Sequence, residues 1–138
     1  MTTKPRSIDQ HNRFFALVSA LFQQWPEKHQ FQPDDEEHLR AWLLVKAKHR
    51  VIAEFHMGDV TDEFVRAIPV ITMAMYRKHC WAWQDGSKIK VCAAKSISIY
   101  GKEAVGHAEF CVINDNVDGV IRAETGLDPE RLMRSHAA

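Results

Sequence analysis

Apolar residues recur every three to four positions near the start of the chain, the spacing of one helical face. Ser7 and Gln10 have the spacing of a capping box at the beginning of this segment. Pro26 should end it, because the residue before a proline is pushed out of helical geometry. The pattern therefore predicts a helix over residues 8–25. Its apolar face consists of Phe14, Leu17, Val18, Leu21, Phe22 and Trp25.

Two further helices are indicated between residues 34 and 76. Acidic residues 34–37 stand where the second helix should begin, and Lys46, Lys48 and His49 stand near its end, so each charge suits the helix dipole. Residues 51–60 indicate either a short strand or an irregular connection. Thr61 is expected to cap a third helix, which Pro69 should break or kink before a second segment through Tyr76.

The apolar spacing changes to every second position after residue 79, as in a strand. Trp81 and Trp83 alternate with polar neighbours, and Asp85 with Gly86 forms a typical hairpin turn before an alternating segment over residues 88–93. Residues 96–100 are expected to form a further strand. The sequence thus predicts a small antiparallel β-meander in the second half of the chain.

The last part of the chain is predicted to be helical. A helix is expected over residues 102–125 with Gly126 at its C-cap, and Pro129 should start one more short helical turn. We expect a mainly helical α+β fold in one domain over residues 1–138, with residues 1–6 and 134–138 flexible.

Composition is that of an ordinary globular protein. The 138 residues are 46% hydrophobic and 26% charged, which suits one domain with a real core. No apolar run approaches the length of a membrane span, and the N-terminus lacks the apolar segment of a signal peptide. The three cysteines have no close pairing, which suits a reducing compartment. A soluble, cytoplasmic protein is expected.

Positive and negative charges are segregated although they balance, with 18 basic and 18 acidic residues. Residues 38–50 and 76–102 are rich in Lys and Arg, whereas residues 103–130 are rich in Asp and Glu. If the two basic segments share a face, the molecule has a basic and an acidic side. A neutral total therefore does not exclude a polyanionic partner.

The hairpin offers the clearest candidate chemistry. Proteins that bind single-stranded nucleic acid combine cations along the backbone with aromatic rings on which bases stack. Trp81 and Trp83 should share one strand face, with Lys88 and Lys90 on the facing strand. The alternative is that tryptophan packs in the core while the lysines solubilise an edge strand.

Other cations are candidates for phosphate contacts. Arg6 and Arg13 lie near the free backbone donors of the first helix, although Arg13 could instead pair with Asp9. The remaining candidates are Lys46, Lys48, Arg50 and Lys95.

The final long helix supports a second hypothesis. Its acidic residues could imitate nucleic acid or dock on a basic partner, which would make the protein an inhibitor or adaptor of a host nucleoprotein complex. The residues concerned are Glu109, Asp115, Asp118 and Glu124.

Catalysis and cofactor binding have little support. The glycines are scattered and form no phosphate-binding loop. Neither Cys-x-x-Cys nor His-x-x-x-His is present to anchor a metal, and no local feature activates a cysteine paired with His79 or His107. The acidic residues 34–37 are better explained as a helix start than as a magnesium site. We expect no metal, no cofactor and no enzymatic activity.

The opening segment resembles a known family. Arg6 to Gln10, followed by Asn12, Arg13 and an aromatic-aliphatic run, resembles the NinB-type recombination proteins of temperate phages, whose pattern lacks the residue that His11 supplies here. A second, uncharacterised phage family is similar around Arg13 to Leu17 and in later short segments. These segments are Trp25, Trp42-Leu43, Lys46-Ala47 and Ala94 to Ile99.

The resemblance implies a phage or prophage accessory protein of DNA recombination or replication. It would be an α+β homodimer that binds single-stranded DNA without catalysis and works with a recombinase or a single-strand-binding protein. The extra residue His11 rotates the positions of Asn12 and Arg13 by about 100 degrees around the helix axis relative to Asp9 and Gln10. This rotation alters the spatial pairing that these side chains have in the family.

Overall fold

The computed structural model describes residues 8–56, 61–75, 79–97 and 105–137, and over these residues it contains five helices and three strands. The helices are α1 (Ile8–Gln23), α2 (Glu36–Lys46), α3 (Asp62–Met75), α4 (His107–Thr125) and α5 (Pro129–Ala137). The strands are β1 (Arg50–His56), β2 (Cys80–Asp85) and β3 (Lys88–Ala94). The predicted α+β class is confirmed. None of the described helices is both long enough and apolar enough to cross a membrane.

The hydrophobic core lies among the helices. Phe14, Leu17, Val18 and Leu21 of α1 are buried as their spacing predicts. The predicted end at residue 25 is wrong, because α1 ends at Gln23 and Trp25 lies after it, half-buried against the core. Phe14 meets Phe110 of α4 edge to face, with ring centroids 5.9 Å apart. Leu39 and Leu43 of α2 and Ile121 of α4 are fully buried in the same cluster. Burial of this shared apolar surface is what holds the four helices α1, α2, α4 and α5 together.

Helix α2 has well-defined ends. The carboxylate of Asp35 accepts a hydrogen bond of 2.7 Å from the His38 backbone N–H and so caps the first turn. At the other end, Lys48 adopts a left-handed conformation with a φ of 69°. The N–H of Lys48 donates to Val45 O and that of His49 to Leu44 O, which is a Schellman motif with lysine where glycine is usual.

The sheet is antiparallel with strand order β1-β3-β2. The hairpin of β2 and β3 turns at Gly86, whose φ is 62°, as predicted. The third strand is β1. Residues 51–56 therefore form the short strand, which is one of the two alternatives predicted for residues 51–60. Ser96 and Ile97, predicted to begin a strand, lie outside the strands; residues 98–100 lie outside the described residues.

Beyond Ala94 the chain stays bonded to the segment that joins α2 to β1. The Lys95 N–H donates to His49 O at 3.1 Å, which continues the β1–β3 register by one residue, and His49 Nε2 donates to Ser96 O at 2.9 Å. The order of the sheet differs from a simple meander because β1, which precedes the hairpin in the chain, pairs with β3 and not with β2.

Other boundaries differ in detail from the predictions. Of the break or kink predicted at Pro69, the break is wrong, since α3 is one helix with Pro69 inside it, and the kink stays a prediction. Packing against β2, together with a 3.1 Å hydrogen bond from Cys80 Sγ to Pro69 O, supports the helix at this point. Tyr76 and the Ser7 half of the capping box lie outside the described residues.

The C-terminal helices follow the prediction with altered lengths. Helix α4 begins at His107 rather than near residue 102, and residues 101–104 lie outside the described residues. Gly126 is the predicted C-cap, with a φ of 72°. Helix α5 continues to Ala137, well beyond a single turn and into the segment that was expected to be flexible.

Candidate nucleic-acid interface

The hairpin presents its tryptophans and lysines on one face of the sheet. Trp83 lies directly opposite Lys90, and Asp85 opposite Lys88, in the β2–β3 register. Directly opposed residues share a face, and so do alternate residues of one strand. Trp81, Trp83, Lys88 and Lys90 therefore occupy the common face that the sequence predicts.

Carboxylates balance the lysines of this face. Lys90 Nζ lies 3.1 Å from Asp85 Oδ2 and 3.5 Å from Glu54 Oε1, and Lys88 Nζ lies 3.9 Å from Glu54 Oε2. The hydrogen bond from Lys90 to Asp85 raises the pKa of the lysine. Two cations and two carboxylates leave this part of the sheet without net positive charge, so it has little attraction for a phosphate chain.

The two hairpin tryptophans have different environments. Trp81 is half-buried against the core and lies nearly parallel to His38, with centroids 6.0 Å apart. Trp83 is 39% exposed, whereas Trp42 is buried and Trp25 donates its indole N–H to Phe31 O at 2.7 Å. Trp83 is thus the indole most accessible for stacking.

Lys46 and Lys48 lie in a groove against α4, which we call the Lys46 groove. It has a volume of about 530 Å³ and is also lined by Asp115 and Glu124. Lys46 Nζ additionally lies 5.5 Å from the centroid of the Trp42 ring. Residues from the predicted basic and acidic surfaces therefore face each other in one mixed-charge groove.

The remaining arginines do not join the hairpin. Arg50 donates from Nη1 to Val45 O at 3.3 Å, which ties β1 to the end of α2. Arg13 is exposed on α1 and lies close enough to Asp118 to influence its pKa. Arg6 lies outside the described residues.

The acidic residues of α4 have different environments. Glu124 Oε2 accepts a hydrogen bond of 2.8 Å from His29 Nε2. Burial raises the pKa of Asp118, against the opposing effects of Arg122 and Arg13. Asp115 lines the Lys46 groove, and Glu109 is exposed at the first turn of α4.

A second cavity brings cations from different elements together. It has a volume of about 350 Å³ and lies where α1 and α2 meet the chain after β3. We call it the Arg40 cleft and define it by six of its lining residues: His11, Phe15, Glu37, Arg40, His79 and Lys95. Of the predicted site residues that the structure describes, Lys95 alone lines it.

Local contacts hold the two cations of the Arg40 cleft in place. The guanidinium of Arg40 lies 4.8 Å from the centroid of the Phe15 ring, in a cation–π contact. Its Nη2 lies 4.0 Å from Glu37 Oε1, one turn earlier on α2. The backbone of Lys95 is held by its own N–H, which donates to His49 O, and by the neighbouring bond from His49 Nε2 to Ser96 O.

Aromatic rings form the walls of the Arg40 cleft. The rings of His11 and Phe15 lie 4.6 Å apart on the α1 side. On the other side, His79 stacks on His38 at 4.3 Å, and His79 Nε2 is buried without a hydrogen-bond partner among the described residues. Burial, and next the charge of His79, lower the pKa of His38, so its imidazole favours the neutral form.

The arrangement of the Arg40 cleft is suited to binding an anion. Two permanent cations face one carboxylate, and the histidines add hydrogen-bonding nitrogen atoms. The volume lies at the lower end of the range for small-ligand sites. The Lys46 groove, in contrast, matches two lysines with two carboxylates.

The described residues show no group of three or more metal ligands. One cysteine–histidine contact is present, because Cys111 Sγ lies 3.7 Å from His107 Nε2 while His107 Nδ1 lies 3.1 Å from Gln10 Oε1. This cluster lines neither the Arg40 cleft nor the Lys46 groove. Cys80 and Cys92 are buried, and burial raises the pKa of Cys92.

Sequence reasoning missed most of the Arg40 cleft. Arg40 stands in the basic segment 38–50, but a helix pattern does not show which flank faces another element. In the sequence His11 is distinguished only as an extra residue, and His79 only as a possible partner for cysteine. No sequence signal connects positions 11, 40, 79 and 95, since they meet only through tertiary packing.

Comparisons of the chain with known protein families, with curated proteins and with solved structures found no match.

Proposed function

We propose that this protein binds single-stranded DNA without catalysis and that the Arg40 cleft is its phosphate-binding centre. The observation that carries the proposal is the convergence of Arg40, from α2, and Lys95, from the segment after β3, on one concave surface. Single-strand binding requires cations along the phosphate backbone and aromatic faces for bases, and both occur here.

Each cation would have a distinct part. The planar guanidinium of Arg40 suits two hydrogen bonds to one phosphate, while Lys95 supplies a mobile point charge. Phe15 and His11 offer ring surface beside these cations. Trp83, exposed on the hairpin, offers a separate surface on which a base can stack.

The hairpin lysines have a smaller part than the sequence suggests. Asp85 and Glu54 satisfy Lys88 and Lys90 within the sheet, so a phosphate would have to displace these carboxylates. A solvent-exposed pair is weak, but its carboxylate stays nearby and repels the phosphate. We therefore place the main electrostatic contribution at the Arg40 cleft.

The test is a salt titration of oligothymidylate binding followed by fluorescence anisotropy. For a single strand, log K falls as log salt rises, and each lost phosphate contact should reduce the magnitude of this negative slope by about 0.7. Arg40→Gln and Lys95→Gln should each reduce the magnitude of the slope by about this amount and weaken binding at low salt. Arg40→Lys should retain most of the slope because it keeps the charge.

Lys88→Gln and Lys90→Gln are the matched controls, since they remove the same charge from the hairpin. They should change the slope less than the cleft variants do. A larger change in slope for the Lys88 and Lys90 variants would indicate that the main phosphate-binding site is the hairpin and not the Arg40 cleft. No detectable binding of the parent protein at low salt would refute the proposed function.

The role in phage recombination or replication rests on the sequence resemblance to NinB-type proteins. The alternative of an acidic docking helix has less support, because Glu124 bonds to His29 and Asp115 lines the same groove as Lys46 and Lys48. The two lysines reduce the negative potential that imitation of nucleic acid would need. The single-strand proposal is therefore the better supported of the two.

A further inference from the structure

The outer edge of β1 is unusually apolar. Within the described residues β1 pairs on one side only, with β3, and its residues from Val51 to His56 are exposed. Val51, Ile52 and Phe55 are 47%, 42% and 50% exposed, respectively. An edge strand of this kind can pair with another strand unless it is protected by lysine, proline or a covering element.

The apolar side chains of β1 lie on both faces of the sheet. Val51 and Phe55 share the face of Cys80, against which α3 packs, whereas Ile52 lies on the face of Trp81. Helix α3 covers mainly β2 and leaves Val51 and Phe55 about half exposed. A new strand beside β1 would therefore find apolar surface both above and below its own plane.

We propose that this edge is the interface with a second copy of the chain, in which two β1 strands pair antiparallel about a twofold axis at Ala53. Val51 then lies opposite the partner's Phe55, and the contact occurs twice by symmetry. Ala53 faces the partner's Ala53. The result is one continuous sheet of six strands across the two copies.

Charge also favours a second copy as the occupant. In this register Arg50 is diagonal to the partner's Glu54, and diagonal neighbours lie within reach of long side chains. Glu54 already contacts Lys88 and Lys90, so Arg50 would extend that ion-pair network across the interface. In the same register Ile52 lies opposite the partner's Glu54 and Arg50 lies opposite the partner's His56. The apolar complement is therefore on the face of Val51 and Phe55, and the charged complement is the diagonal pair of Arg50 with the partner's Glu54.

The neighbouring register is less favourable. A twofold axis at Ile52 would set Arg50 directly opposite Glu54 of the partner subunit. It would also place Phe55 opposite position 49, which precedes the first residue of β1. Phe55, the most exposed apolar residue of the strand, would then lose its strand partner.

The first test measures oligomeric state by sedimentation across micromolar concentrations of the full chain. The parent protein should form a dimer. Val51→Lys and Phe55→Lys should each weaken dimerisation by roughly tenfold or more, because symmetry applies each substitution twice. Val112→Lys is the matched control, since Val112 is 59% exposed on α4, and it should leave the dimer unchanged.

The second test identifies the register. Ala53→Cys should form a disulfide-linked dimer on mild oxidation, because directly opposed residues have the Cα separation that a disulfide requires. Cys111→Ala is included because Cys111 is the native thiol that is not buried. Ile52→Cys should crosslink far less.

Three results would overturn the proposal. These are a monomeric parent protein, a dimer that Val112→Lys weakens but Val51→Lys does not, and crosslinking at position 52 in preference to 53. The proposal is independent of DNA binding, since none of the substituted residues lines the Arg40 cleft. Failure of one proposal therefore leaves the other intact.

Discussion

Replacing Glu37 with glutamine should strengthen DNA binding, and this gain is a sharp test of the electrostatic reasoning. Among the described residues that line the Arg40 cleft, Glu37 is the only carboxylate. Its Oε1 lies 4.0 Å from Arg40 Nη2, and the side chains of Arg40 and Glu37 are 28% and 39% exposed. Glutamine keeps the shape of the side chain and removes the negative charge.

The magnitude follows from the exposure of the pair. An ion pair this open to solvent is worth about 0–1 kcal/mol, so releasing Arg40 makes at most about 1 kcal/mol available to a phosphate. Since 1.4 kcal/mol corresponds to a factor of ten, a gain of 0.5–1 kcal/mol means about two- to fivefold tighter binding at low salt. The gain should shrink as salt screens the charges.

The assay is anisotropy of a labelled oligothymidylate at low and moderate salt. Glu36→Gln is the control, because Glu36 lies in the same first turn of α2 but is exposed and does not line the cleft. It changes net charge equally and should have a clearly smaller effect. An equal gain in both variants would show that net charge matters and not the cleft, and no gain in Glu37→Gln would refute the site.

Three further predictions concern stability, each measured by urea unfolding. Lys48→Gly should raise the free energy of unfolding by about 0.5–1 kcal/mol, because Lys48 has a φ of 69°, and Lys48→Ala should give no gain. The free energy of unfolding should fall as pH drops below 6.5. The pKa of His38 is lowered from 6.5 in the folded protein, so the unfolded chain binds a proton at His38 more readily than the folded one does. His38→Phe should flatten this pH dependence. Asp118→Asn should raise the free energy of unfolding at neutral pH, because burial raises the pKa of Asp118 and so disfavours its charged form. This gain should fade in acid, where the native carboxyl is protonated. A gain that persists in acid would contradict this cause.

The sequence by itself determined the features that depend on neighbouring residues. Asp35 as the cap of α2, the turn at Gly86 and the C-cap at Gly126 all follow from local hydrogen bonds or backbone geometry. The common face of Trp81, Trp83, Lys88 and Lys90 follows from strand alternation once the turn fixes the register. The buried face of α1 follows from its helical period.

Tertiary structure decided what those elements do together. The pairing of β1 with β3 brings Glu54 beside Lys88 and Lys90 and cancels the charge that the hairpin pattern suggested. Arg40 and Lys95 meet across the cleft because His49, at the end of α2, binds the chain after β3. Such contacts join residues far apart in the chain, and they depend on how whole elements pack, which periodicity and capping do not encode.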